Sequence, residues 1–140
     1  MTDALPQAVL CDLDGTLAHL NGRSPYDAST CLDDLVNMPV AHIVQTYAGL
    51  GVYVILVSGR EARYRKPTER WLQKHNIPYH ALHMRPTRDY RKDAVIKTEL
   101  YRSHIEGAYS VLFVLDDRNQ VVEMWRGLGL TCLQVAPGDF

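Results

Sequence analysis

Apolar runs recur along the chain, and stretches with helical spacing separate them. Residues 8–10 run into Cys11 and Asp12 and read as a short buried strand. A second run spans 52–57, a weaker third 79–83, a fourth 111–115 and a fifth 131–135. The second and fourth are rich in β-branched residues, as parallel strands buried on both faces require. After Pro39, which suits a first helical turn, Val40, Ile43, Val44, Tyr47 and Ala48 follow at helical spacing, and Gly49 or Gly51 ends the helix. Further helices are expected over 67–76, starting at Pro67, over 89–106, stopped by Gly107, and over 119–126, capped by Asn119 and stopped by Gly127.

Strand and helix alternate, which predicts an α/β, Rossmann-like, five-stranded parallel sheet with helices on both faces. No repeat or linker interrupts 1–140, so one domain is expected. The long irregular stretch, about 15–34, contains Gly22, Pro25 and many small polar residues and reads as a flap.

Four elements carry chemistry. The first is Asp12-Leu13-Asp14-Gly15-Thr16 after strand one, at the strand end where parallel sheets bind ligands. Asp12 and Asp14 share a face. Asp12 suits a nucleophile and Asp14 an acid/base, with mutual repulsion expected to help Asp14 stay protonated. The second is Ser58-Gly59-Arg60, expected to end strand two and cradle a phosphate through hydroxyl, backbone N–H and the Arg60 guanidinium. The third is a lysine for the phosphoryl oxygens, with Lys92 and Lys97 both on the 89–106 helix. The fourth is Asp116-Asp117 after strand four. With Asp12 and the Asp14 backbone carbonyl, this pair would build a Mg²⁺ site.

Composition narrows the setting. With 140 residues, 46% apolar and 22% charged, the chain suits a folded soluble domain. No apolar run reaches the ~20 residues of a membrane span. Met1 to Gln7 lack the features of a secretory signal. The three widely spaced cysteines predict a reducing, cytoplasmic compartment. Net charge is −1, yet 60–92 holds ten cations against three acids, a net of +7. A basic third in a near-neutral chain suggests a polyanion partner.

The order Asp-x-Asp, Ser, Lys, Asp-Asp resembles the haloacid-dehalogenase-like phosphatases over essentially the whole chain. A closer resemblance is to the 3′-phosphatase domains of bacteriophage polynucleotide kinase/phosphatases. It is carried by residues 21–27 (Asn-Gly-Arg-Ser-Pro-Tyr-Asp), 57–61, 91–93, 115–118, 120–126 and 138–140. The resemblance implies an aspartyl-phosphate on Asp12, acid/base work by Asp14 and phosphoryl contacts from Ser58 and Lys97. It also implies Mg²⁺ at the acidic pair, and Arg85 and Arg118 near the substrate. The implied activity removes the 3′-phosphate, or a 2′,3′-cyclic phosphate, from DNA or RNA ends in nucleic-acid repair, beside a kinase or ligase partner. The implied setting is a bacterial or phage-infected cell.

The expected insertions leave no room for a large cap domain, and an open site suits a polymer end. No G-x-x-x-x-G-K-[ST] occurs, so kinase activity is not expected of these residues, and a stand-alone phosphatase or an excised domain is. Two other readings use the same residues: hydrolysis of a small phosphomonoester, and a receiver-like domain holding a phospho-Asp. Tyr26, Tyr64 and Trp71 are candidates for base stacking. His19 is a flap residue near the expected site, His80 and His83 make a poor metal pair, and Cys11 reads as core.

Overall fold

The computed structural model describes residues 4–140. Residues 1–3, part of the expected 1–140 unit and of the segment read as lacking a signal, lie outside the described residues. Strands β1 (Gln7–Cys11), β4 (Tyr53–Glu61), β5 (Ala81–Arg85), β6 (Ser110–Asp116) and β7 (Cys132–Gln134) form one sheet in the order β5-β4-β1-β6-β7. Every pairing in it is parallel. Helices α1 (Met38–Gly49), α2 (Arg65–Lys74), α3 (Asp93–His104) and α4 (Asn119–Gly127) cover it.

The alternation of side chains along β1 and β4 builds the two faces. Cys11, Val54 and Leu56 pack with Val40, Ala41 and Val44 of α1 and with Trp71 and Leu72 of α2. Ala8, Leu10, Ile55 and Val57 pack on the other face with Tyr101 and Ile105 of α3 and with Val121, Val122 and Trp125 of α4. Central strands buried on both faces need apolar residues at every position, which is why they appear in the sequence as continuous runs. No helix among the described residues is long and apolar enough to cross a membrane.

Several boundaries differ from the sequence reading. Helix α2 runs Arg65–Lys74 rather than starting at Pro67, and β5 runs Ala81–Arg85 rather than 79–83. Strand β4 does not end at Ser58; it continues to Glu61 through an irregularity in register between Ser58 and Glu61. The extra residues re-aim the chain there, as a bulge does. Helix α3 begins at Asp93 rather than at residue 89. Asp89 instead accepts from the Arg91 N–H at 3.2 Å, and Arg88 holds φ +65, so 86–92 is a loop. Asn119 is the first helical residue of α4, and its side-chain oxygen accepts from Gln134 at 2.6 Å rather than capping the helix.

The flap is tied down. Strand β2 (Ala18–His19) pairs antiparallel with β3 (Leu35–Val36), and a 3-10 turn at Cys31–Asp33 sits between them. Asn37 Nδ2 donates to Thr16 O at 2.8 Å and closes its base.

Candidate active site

β1 delivers Asp12 to the carboxyl edge of the sheet, and the Asp12 N–H still donates to Leu115 O of β6 at 3.0 Å. The chain then turns within five residues: the N–H groups of Thr16, Leu17 and Ala18 all donate to Leu13 O. Gly15 makes this turn at φ +83, and a Cβ there would overlap the Asp117 carboxylate. Only glycine meets both conditions.

On the buried floor, Lys97 Nζ donates to Asp12 Oδ1 at 2.8 Å and to Asp116 Oδ2 at 3.0 Å. Thr16 Oγ1 donates to Asp12 Oδ2 at 2.9 Å. Asp116 is fixed twice more, because its Oδ1 accepts the Asp117 N–H at 2.9 Å and its Oδ2 accepts the Trp125 indole N–H at 3.2 Å. Oxygens of Asp12, Asp116 and Asp117 lie within 4.8 Å of one another. Three carboxylates therefore face one ammonium, and the excess negative charge and all-oxygen donor set fit a hard divalent cation.

The electrostatics follow from that crowding. Burial pushes the Asp12 carboxyl well above the ordinary carboxylate range, Asp116 and Asp117 add to the shift, and Lys97 opposes it. Burial likewise raises Asp117. For Lys97, burial works to lower the ammonium, but Asp116, Asp12 and Asp93 outweigh it and hold it above its usual range. The geometry decides between the two lysines: Lys97 is buried among the acids, whereas Lys92 is an exposed residue at the α3 N-cap.

Asp14 does not pair with Asp12. Its carboxylate accepts Arg60 Nη2 at 2.6 Å and Arg23 Nη2 at 2.9 Å. The two guanidiniums also share Asp34, at 3.1 Å from Arg60 and 2.7 Å from Arg23. The expectation that two carboxylates repel each other therefore fails in this pairing: Asp14 faces cations, and the like charges around Asp12 come from Asp116 and Asp117. Asp14 is also absent, as a carboxylate, from the acidic cluster.

Arg60 departs from its expected role as a phosphate grip. It is buried, and its remaining Nη1 donates to Thr68 Oγ1 at 3.0 Å, so its donors are spent on Asp14, Asp34 and Thr68. Arg85 is committed in a similar way. It donates to Gly59 O at 2.7 Å, to Asp89 O at 3.0 Å, to Arg91 O and to the Asp93 carboxylate. It lines the cavity beside Gly59 with these donors committed to the wall. Arg118 donates to Asp93 Oδ2 at 3.1 Å and to Phe140 O at 2.8 Å, and its Nη2 has no partner among the described residues. Ser58 is buried, and its Oγ accepts the Arg60 N–H at 3.0 Å, which leaves its hydroxyl proton to donate.

These groups open into one cavity of about 520 Å³, with Asp12, Asp14, Ser58, Gly59 and Lys97 among its lining residues. His19 does not line it. Trp71, a stacking candidate in the sequence, is fully buried and donates to Asp34 O at 2.9 Å. The basic window is more neutral in space than in sequence. Arg60 pairs with Asp14 and Asp34, Arg85 with Asp93 and Arg91 with Glu99, all acids from outside the window.

Arg23, Asp34, Thr16, Asp93 and Trp125 were not singled out as site residues by sequence reasoning. Arg23, Asp93 and Trp125 lie inside stretches that carried the resemblance, and Thr16 closes the Asp12–Thr16 motif. Asp34 had no signal, because its partners are 11 and 26 residues away.

Comparison with known proteins agrees with this geometry. Residues 6–140 match the family model of the polynucleotide kinase PNKP phosphatase domain. An Autographa californica nuclear polyhedrosis virus protein described as a bifunctional polynucleotide kinase/RNA ligase is 39% identical over 129 residues, covering 90% of this chain and 19% of its own length. A chain in the structure of the Pnkp1/Rnl/Hen1 RNA repair complex superposes with a TM-score of 0.96 at 57% identity, over 99% of this chain and 46% of that one. This chain thus spans less than half the length of these relatives. A Bacillus anthracis class C acid phosphatase, with a TM-score of 0.66 and 15% identity over 97% of this chain and 68% of its own, shares the fold. The sheet is that of the haloacid-dehalogenase-like phosphatases, and the chain belongs to the polynucleotide kinase PNKP phosphatase-domain family.

Proposed function

We propose that this chain is a Mg²⁺-dependent polynucleotide 3′-phosphatase that works through an aspartyl-phosphate on Asp12. The observation that carries the reading is the floor of the cavity, where Asp12 is held by Lys97 and Thr16 beside Asp116 and Asp117. Asp12, Asp116 and Asp117 would hold the ion through carboxylate oxygens and Asp14 through its backbone carbonyl. The ion would offset negative charge on the phosphoryl group and the nucleophile.

An Asp12 oxygen attacks phosphorus as the bond to the 3′ oxygen breaks, and Asp14 donates the proton that the leaving oxygen needs. Lys97 and the Ser58 hydroxyl stabilise the phosphoryl oxygens. Asp14 then takes a proton from water, which attacks phosphorus, releases phosphate and restores Asp12. Arg60 and Arg23 hold the Asp14 carboxylate at the cavity, and Asp14 takes up a proton from solvent before the first step. Hydrolysis of a 2′,3′-cyclic phosphate would use the same groups.

A polynucleotide end is favoured by the exposed cations Arg63, Arg91 and Lys92, which line the cavity, and Lys92 makes no ion pair among the described residues. One relative is described as a bifunctional polynucleotide kinase/RNA ligase and another is a chain of an RNA repair complex, which supports a kinase or ligase repair partner for this chain. The three free, buried cysteines fit the cytoplasm of a bacterial or phage-infected cell.

The test compares phosphate release from oligonucleotides bearing 3′- or 5′-phosphate and from a sugar phosphate, with Mg²⁺ and over a salt range. The 3′-phosphorylated strand is expected to be hydrolysed fastest, with affinity falling as salt rises. A faster sugar phosphate with no salt dependence on the strand would overturn the reading.

A further inference from the structure

Four phenylalanine, tyrosine or tryptophan side chains are exposed among the described residues: Tyr26, Tyr53, Tyr90 and Phe140. Tyr53 packs against His80 and Tyr109 on the far side of the fold. The other three line the same cavity as Asp12, although they come from the flap, from the loop before α3 and from the last residue of the chain. Tyr26 and Tyr90 are each 82% exposed, and each ring lacks an aromatic neighbour among the described residues.

These rings stand on anchored backbone. Tyr26 sits in a turn where Asp27 N–H donates to Ser24 O at 3.2 Å and Tyr26 N–H to Ser24 Oγ at 3.1 Å. The Tyr90 loop is gripped by Arg85, which also holds Gly59 O at 2.7 Å, so the loop and the Ser58–Gly59 turn are tied by one guanidinium. Phe140 is held through its carbonyl by Arg118, whose guanidinium lies 5.1 Å from the ring centroid. Anchored rings lose little freedom on contact with a ligand. Arg63, Arg91, Lys92 and Arg118 line the same cavity.

Flat apolar faces and cations lining one cavity, above the floor proposed to take the phosphate, match the chemistry of an unpaired nucleotide. Bases stack on such rings with little regard to sequence, and the cations meet the backbone phosphates. We propose that Tyr26, Tyr90 and Phe140 form a stacking collar for the unpaired bases at the end of the strand whose phosphate is delivered to Asp12. The collar makes the enzyme prefer single-stranded ends of any sequence. This inference rests on the 3′-phosphatase reading above and adds a base subsite to it.

The test uses two 3′-phosphorylated oligonucleotides, one ordinary and one with an abasic final residue. The ratio of their kcat/KM values is measured for the wild type and for the double variants Tyr26→Ala/Tyr90→Ala and Tyr26→Phe/Tyr90→Phe. The wild-type ratio is expected to be roughly ten- to a hundred-fold in favour of the base-bearing end. The alanine variant should bring the ratio close to one, while the phenylalanine variant, which keeps both rings, should retain it. Because each ratio is internal to one protein, a general loss of folded enzyme does not move it. Equal turnover of the two strands by the wild type would overturn the collar and leave the phosphatase reading standing. Failure to hydrolyse either strand would overturn both.

Discussion

The Trp125 indole N–H donates to Asp116 Oδ2 at 3.2 Å, from a helix on the opposite side of the acidic floor from the flap. Both side chains are buried, and the same oxygen accepts from Lys97 at 3.0 Å. Trp125 thus fixes the carboxylate that Lys97 shares between Asp12 and Asp116. Groups that orient a metal-binding carboxylate commonly change affinity by about 10- to 100-fold when removed.

Trp125→Phe keeps the ring in the core and deletes the donor. Calorimetric titration with Mg²⁺ should show affinity lowered by roughly ten-fold or more. Val122→Ala, a buried change on the same helix, should lower the melting temperature without a comparable loss of metal affinity. Equal affinities in wild type and Trp125→Phe would show that the indole only fills space.

Asp12→Asn should reduce phosphate release below detection while the protein stays folded. The amide keeps the shape and removes one of three crowded carboxylates, so the melting temperature without metal should not fall. Retained hydrolysis would rule out Asp12 as the nucleophile. A phosphorylated Asp12 that persisted for minutes in the native protein would instead favour the receiver-like alternative.

Arg60 acts through Asp14 and Asp34. Arg60→Ala would leave Asp34, whose side chain is 1% exposed, with Arg23 as its remaining charged partner. Breaking a buried ion pair in this way costs about 3 kcal/mol or more. Arg60→Lys keeps the charge but lacks the fork that serves Asp14, Asp34 and Thr68 together, so kcat should fall more than KM rises. A rise in KM alone would restore the direct phosphate contact that the sequence suggested.

Asp12 and Asp117 should take stability from the metal-free protein as pH rises from the ordinary carboxylate range toward neutrality. Asp12 and Asp117 have raised pKa values in the folded chain. The unfolded chain releases those protons at lower pH, so stability is greatest below the unfolded value and is lost as pH climbs through the folded ones. Mg²⁺ should recover that loss near neutral pH. Thermal melts of wild type and Asp117→Asn without Mg²⁺ from pH 4 to 8 check it: His75 and His83, lowered by burial, act with the opposite sign but equally in both proteins, so a difference between the two that does not change with pH would contradict the assignment. Asp117→Asn should melt no lower than wild type without metal and gain less from Mg²⁺.

The sheet was legible because β1, β4 and β6 are buried on both faces, and such strands must be apolar throughout. The Asp12 turn was legible for a similarly local reason: Gly15 and the two acids lie within one short turn. The ends of α3 and β4 were not, since the Arg85 contacts that hold the 86–92 loop and the register irregularity at Ser58 depend on partners far along the chain.

The sequence by itself determined the five strands of the main sheet and its helices, and it singled out Asp12, Asp116 and Asp117 as candidate site acids with Lys92 or Lys97 as the ammonium. Those depend on hydrophobic period and on side-chain chemistry, both of which are written residue by residue. Tertiary structure decided what each charged group does. It buried Lys97 between Asp12 and Asp116 and turned Arg60 inward onto Asp14. It also joined Arg23 and Asp34 to the site and brought Tyr26, Tyr90 and Phe140 to one opening. A guanidinium carries the same charge wherever it stands, and only its neighbours in space decide whether that charge meets a substrate or an aspartate.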